Sequence, residues 1–118
     1  MSVSDSFQAF VVEQLSKAVP PVRARRMFSG VGLYSANLFF ALIADDVVYL
    51  KSDSSTQPDF ESRGLQRFRP FGEDTGGMSY YQLPEDALED VEVLRVWCEK
   101  AIDVAKRAKR GQPRRSSR

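Results

Sequence analysis

Phe7, Phe10, Val11, Leu15 and Ala18 recur at steps of three and four, a spacing that gathers them on one face of a helix. Ser4 or Asp5 can cap its start and Pro20-Pro21 ends it. The pattern then changes. Arg23-Ala24-Arg25-Arg26-Met27-Phe28 reads as a short basic piece, followed by strands over 31–34 and 38–44 joined by a turn at Ser35-Ala36-Asn37. Every position of the second strand is apolar, with Leu38, Phe40 and Leu42 directed one way and Phe39, Ala41 and Ile43 the other. A strand that is apolar on both faces belongs at the centre of a sheet with both faces covered. Asp45-Asp46 turns tightly into a strand over 47–50, completing a three-stranded meander.

Farther along, 52–57 reads as turn, and Pro58 starts a helix that runs to about Arg63 and stops at Gly64. Two more strands are expected over 66–70 and 78–83, around the polar turn 72–77. Pro84-Glu85-Asp86 has the proline and acidic residues of a helix start, and Ala87, Val91, Leu94, Cys98, Ala101 and Ala105 carry an apolar stripe onward, with Trp97 beside it and a restart at Asp90. The order α-β-β-β-α-β-β-α describes a two-layer α+β domain with helices against one side of an antiparallel sheet. The other side of the central strand then needs a cover, either the first helix or a second copy of the chain, so a homodimer is expected. The domain is placed at 1–110 and a disordered basic tail at 111–118.

A length of 118 residues suits one domain. The absence of histidine removes Ser-His-Asp and Cys-His catalysis and imidazole metal sites, and a single cysteine, Cys98, removes disulfides and multi-cysteine metal sites within one chain. No apolar run approaches a membrane span and the N-terminus lacks a signal-peptide pattern, so a cytoplasmic protein is expected. The net charge of +1 conceals a division: residues 1–105 carry ten Lys/Arg against sixteen Asp/Glu, whereas 106–118 carry seven basic residues and no acidic one. That tail either meets an external polyanion or folds back over its own acidic domain.

Candidate sites follow from residue type. Arg23, Arg25 and Arg26 can give bidentate contacts to a phosphate or an acidic partner, or make salt bridges within the domain. In Ser79-Tyr80-Tyr81, alternation sends one tyrosine into the core and leaves the other outward as an aromatic contact. Lys106, Arg107, Lys109, Arg110, Arg114, Arg115 and Arg118 can reach phosphates without an ordered fold, in a salt-sensitive and largely sequence-independent way. Gly30 and Gly32 lack the context of a phosphate loop and read as close-packing positions. Asp45-Asp46 and Glu73-Asp74 read as solvated turns, so no metal or other cofactor is expected, and Cys98 reads as a buried structural thiol.

Arg25-Arg26-Met27-Phe28-Ser29-Gly30-Val31-Gly32-Leu33-Tyr34, then Phe40-Ala41-Leu42-Ile43-Ala44, Tyr49-Leu50-Lys51, Met78-Ser79-Tyr80-Tyr81 and Leu83-Pro84 resemble, in order, the N-terminal domain of the TfoX/Sxy family of competence regulators. The likeness spans about 7–105 and is to that domain standing alone, without the family's C-terminal domain. It implies a secretion-chaperone-type α+β fold and a setting in transcription or competence regulation, and it transfers no catalytic residue. The expected function is a noncatalytic regulatory or adaptor domain that binds a protein partner. The alternative is a weak nucleic-acid binder acting through the basic tail.

Overall fold

A computed structural model describes residues 3–27, 30–68 and 79–116, with side chains through Lys109. Helix α1 (Asp5–Ala18) is capped by Ser4, whose Oγ accepts from the Phe7 amide at 3.3 Å. Four strands follow, β1 (Val22–Met27), β2 (Gly30–Ser35), β3 (Leu38–Ala44) and β4 (Val47–Ser52), then α2 (Gln57–Glu61), β5 (Ser79–Gln82), a 3-10 turn (Glu85–Glu89) and α3 (Val91–Ser116). All five strands pair antiparallel in chain order, with β3 in the middle. The two-layer α+β architecture is therefore present, with a different element order from the expected one.

Two corrections account for the difference. The basic piece after the prolines is strand β1, which pairs with β2 over all six residues from Val22 opposite Ser35 to Met27 opposite Gly30. Its arginines obscure the period of two, and an edge strand tolerates charge that a central strand does not. Of the strand expected at 66–70, the described residues 66–68 form a bridge between Arg67 and Tyr81, bonded through Phe68 N to Tyr80 O at 2.7 Å and Gln82 N to Gln66 O at 2.9 Å. Positions 69–78, including Met78 and the expected turn, lie outside the described residues. The restart expected at Asp90 is present: the stripe 87–105 is divided between the 3-10 turn and α3, and the Asp90 carboxylate accepts from Glu92 N at 3.1 Å and Val93 N at 3.3 Å at the start of the second helix. The backbone of α3 is helical to Ser116, past the end expected near 110.

One irregularity decides the two faces. Leu33 lies opposite Ala41 but Tyr34 lies opposite Phe39, so Phe40 is an extra residue in β3. Phe40, Ala41 and Ile43 all join the buried core, while Phe39 and Leu42 lie on the opposite face, which corrects the simple alternation expected of this strand. Val11 and Leu15 of α1 and Leu94, Cys98 and Ala101 of α3 cover the core face together with Val31, Leu33 and Leu50 of the sheet. The helices are tied end to end: Arg95 Nε donates to Ala18 O at 3.0 Å, satisfying a carbonyl at the C-terminus of α1. The first helix thus packs beside α3 and does not cover the second face.

Both central hairpins turn on two residues in the left-handed region, Ala36 and Asn37 at φ 52° and 65°, and Asp45 and Asp46 at 53° and 57°, as type I′ turns require. Asparagine and aspartate tolerate that region, whereas alanine is strained there. Gly30 is held for another reason: a Cβ would stand 2.3 Å from the Ile43 carbonyl oxygen of the neighbouring strand. We therefore expect Ala36→Gly to raise stability by about 0.5–1 kcal/mol and Gly30→Ala to lower it by about 1–3 kcal/mol. Both are read as shifts of the denaturant midpoint at unchanged slope.

Candidate partner-binding face

The sheet face turned away from the helices follows from the register. Arg25, Gly32, Leu42, Tyr49 and Gln82 stand in one row across all five strands. Beside it run Arg23, Tyr34 and Phe39, with Lys51 opposite Tyr80. The aromatic rings are in mutual contact: Tyr34 and Phe39 stack at 5.1 Å, Phe39 meets Tyr80 at 6.0 Å, and Tyr49 meets Phe68 at 4.8 Å. Gly32 makes room for them, since a Cβ there would meet Met27 Sδ at 3.0 Å and Phe39 at 3.2 Å. Met27 is exposed, and Tyr34, Phe39, Leu42, Tyr49 and Phe68 are half-buried. A 180 Å³ hollow opens among Met27, Leu42 and Phe68.

The arginines divide. Arg26 lies on the helix side and meets Asp5 at 3.4 Å, with both side chains largely exposed, an ion pair of little energetic weight. Arg23 donates to Asn37 Oδ1 at 3.4 Å. Arg25 is exposed on the open face and has no hydrogen-bond or ion-pair partner among the described residues. The tyrosines also part to opposite faces. Tyr81 is in the core, stacked on Phe60 at 5.3 Å and donating its hydroxyl to Glu61 Oε2 at 2.6 Å. Tyr80 is on the open side yet only 7% exposed, and burial, with Tyr34 beside it, pushes its hydroxyl up to about 12. It supports the neighbouring rings and offers little surface of its own. Of the half-buried residues of this face, Phe39 and Leu42 escape a reading by strict alternation because the extra residue in β3 changes the parity between them.

Of the basic tail residues, Lys106, Arg107 and Lys109 have described side chains. Arg107 folds back: Nε and Nη2 reach Asp53 Oδ2 at 3.2 and 2.9 Å, and Nη2 also donates to Ser55 Oγ at 3.0 Å. Burial pushes the Asp53 carboxyl up, but hydrogen bonds from Ser55 and Arg107 outweigh it and hold the group below the ordinary range. Lys106 is exposed and borders a 310 Å³ cavity with Glu99 and Asp103. Lys109 is exposed beside Phe39 and Lys51. The side chains of Arg110, Arg114, Arg115 and Arg118 lie outside the described residues.

Cys98 is fully buried, and burial, reinforced by Glu99, pushes its thiol up to about 12. Among the described residues no three His, Cys, Asp or Glu side chains are placed to hold a metal ion, and no helix is long and apolar enough to cross a membrane. A five-stranded antiparallel meander with its helices on one face defines a small two-layer α+β domain with an aromatic open face and a basic edge strand. The chain matches the TfoX N-terminal domain over residues 13–105 and belongs to that family. Comparison with curated proteins finds no match.

The Asp53 pair gives a signed expectation. A carboxyl whose pKa is lower in the folded state stabilises the fold above its unfolded value and loses that contribution as pH falls through the folded value. Arg107→Ala should cost up to about 1 kcal/mol at neutral pH, with the difference from the parent vanishing in acid, below the folded pKa of Asp53. Urea midpoints measured from neutral pH down into acid check it.

Proposed function

We propose that this domain is a noncatalytic regulatory or adaptor module that binds a protein partner through its open sheet face, in a setting of transcription or competence regulation. The observation that carries the reading is the face itself: a contiguous aromatic and aliphatic surface from Met27 to Phe68, bordered by Arg23 and by Arg25, which has no partner among the described residues, with no helix of the described residues laid over it. Large apolar patches with a charged rim are the form of protein interaction sites, and aromatic and arginine side chains carry most of their binding energy. Belonging to the TfoX N-terminal family supports the regulatory setting. The basic tail is the weaker candidate, since Arg107 already has an internal partner in Asp53.

Leu42→Lys places a charge at the centre of the face with little effect on the core. Capture from native extract should yield a protein that the parent chain and a chain lacking residues 106–118 both retain, and that Leu42→Lys loses by about tenfold or more, as for a residue near the centre of an interface. Capture that survives Leu42→Lys but disappears with the tail, together with nucleic acid, would replace this reading with the tail. A dimer in light scattering that Leu42→Lys converts to monomer would instead assign the face to a second copy of the chain.

A further inference from the structure

Lys51 is only 7% exposed, and its ammonium has no carboxylate or hydrogen-bond acceptor among the described residues. Its contact is the Phe39 ring, 5.3 Å from Nζ to the centroid. Its stem is packed and only its tip reaches the solvent, so the ammonium is less freely hydrated than that of a surface lysine, and an anion placed beside it would be favoured. The nearby groups do not supply the missing anion. Asp53 is engaged by Arg107 and Ser55, and Tyr80, opposite Lys51 in the register, keeps its proton far above neutrality. Burial alone pulls the Lys51 pKa below its ordinary value.

Beside Lys51 opens a cavity of 240 Å³, between the turn at Asn37 and the last described side chains of α3. Phe39 forms one wall, Ala105 and Ala108 another, and Lys109 brings a second ammonium to its rim. None of its described lining residues is acidic. Arg23 holds the Asn37 amide by its oxygen at 3.4 Å, which leaves the amide nitrogen as a further donor. At ~30 Å³ for each water of liquid volume, the space suits one ring-sized molecule.

We propose that this cavity binds a small organic anion, its carboxylate or phosphate held by Lys51, Lys109 and the Asn37 amide, its apolar body laid against Phe39, Ala105 and Ala108. The ligand supplies the charge that Lys51 lacks. The site lies at the border of the open face and stands independently of the adaptor reading.

The test uses the whole chain and three probes, inorganic phosphate, phenyl phosphate and benzoate, at constant ionic strength. Calorimetric titration should show saturable binding of phenyl phosphate or benzoate, the stronger of the two telling which anion the site takes, with inorganic phosphate weaker than phenyl phosphate. Lys51→Met should weaken it about tenfold to a hundredfold, the range expected for losing a charge-assisted hydrogen bond, and Lys109→Gln several-fold. Arg26→Gln, on the helix side at the opposite end of β1, should have no effect. In NMR spectra the Asn37 side-chain amide should move on titration in the parent chain. Because Lys109 is exposed, its variant keeps the test valid if Lys51→Met fails to fold. Absence of saturable binding, equal binding by the Lys109 and Lys51 variants, or a response that chloride reproduces overturns the proposal.

Discussion

Between the pairs Leu33–Ala41 and Tyr34–Phe39 the β3 strand carries one residue more than β2. A strand has a side-chain period of two, so a single inserted residue exchanges the faces of everything on one side of it relative to the other. Without it, Phe40 would lie with Leu42 and face away from the helices. With it, Phe40, Ala41 and Ile43 all reach the core, and a seven-residue strand puts four of its side chains, counting the partly buried Leu38, against the helical layer. Fully burying a phenylalanine is worth about 1.5–3 kcal/mol, and a bulge that achieves this at the middle of the sheet is a stabilising feature of the core. The same step leaves Phe39 and Leu42 together on the other side, and the open aromatic face is a consequence of how the core is filled.

The core face is closed at its far end by rings. Phe60 of the five-residue α2 stacks on Tyr81 and meets Trp97 of α3 at 5.0 Å, with the Arg63 guanidinium 5.7 Å and the Lys100 ammonium 6.0 Å from the Trp97 ring. A helix of one turn has no stability of its own. It is held by Phe60, which is fully buried, and by the Glu61 carboxylate that receives the Tyr81 hydroxyl. Aromatic side chains from three separate elements thus fix the layer that α3 presents to the sheet. The open face has the reverse character, with its rings in contact with one another and no helix of the described residues laid over them.

Most of the elements are legible in the sequence because their signals are local. The 3–4 spacing of Val11, Leu15 and Ala18, the turn pairs Ala36-Asn37 and Asp45-Asp46, and the proline and glycine around Phe60 each depend on neighbours a few residues away. What the sequence conceals depends on partners far along the chain. The strand character of Arg23 to Arg26 comes from pairing with β2, and the parity of Phe39 to Leu42 from a mismatch in that strand's register. The site is less legible than the fold for the same reason. Arg25 stands in the sequence beside Arg23 and Arg26 with nothing local to separate the three, and Lys51 looks like one more polar residue at a strand end. Its isolation becomes evident only when Asp53 is seen bonded to Arg107 and Tyr80 is seen opposite it.

The division between an acidic body and a basic tail also takes a spatial form. At one end of the strands, the β3–β4 turn brings Asp45 and Asp46 near Glu85, with Asp86, Glu89, Asp90 and Glu92 following along the chain. At the other, the β2–β3 turn gathers Arg23, Lys51 and Lys109 around Asn37, with Lys106 and Arg107 one turn back on α3. Helix α3 runs between these ends, acidic at its start and basic at its close, which is the favourable sense for its own dipole. Asp53 and Asp59 neutralise Arg107 and Lys100 along the way. Glu99 and Asp103 flank Lys106, so among the described residues the positive charge left at the Asn37 end, beside the open face, is that of Arg23, Lys51 and Lys109. A field so arranged orients an incoming anion before contact and repels it from the opposite end, so the small net charge of the chain is a poor guide to what it attracts.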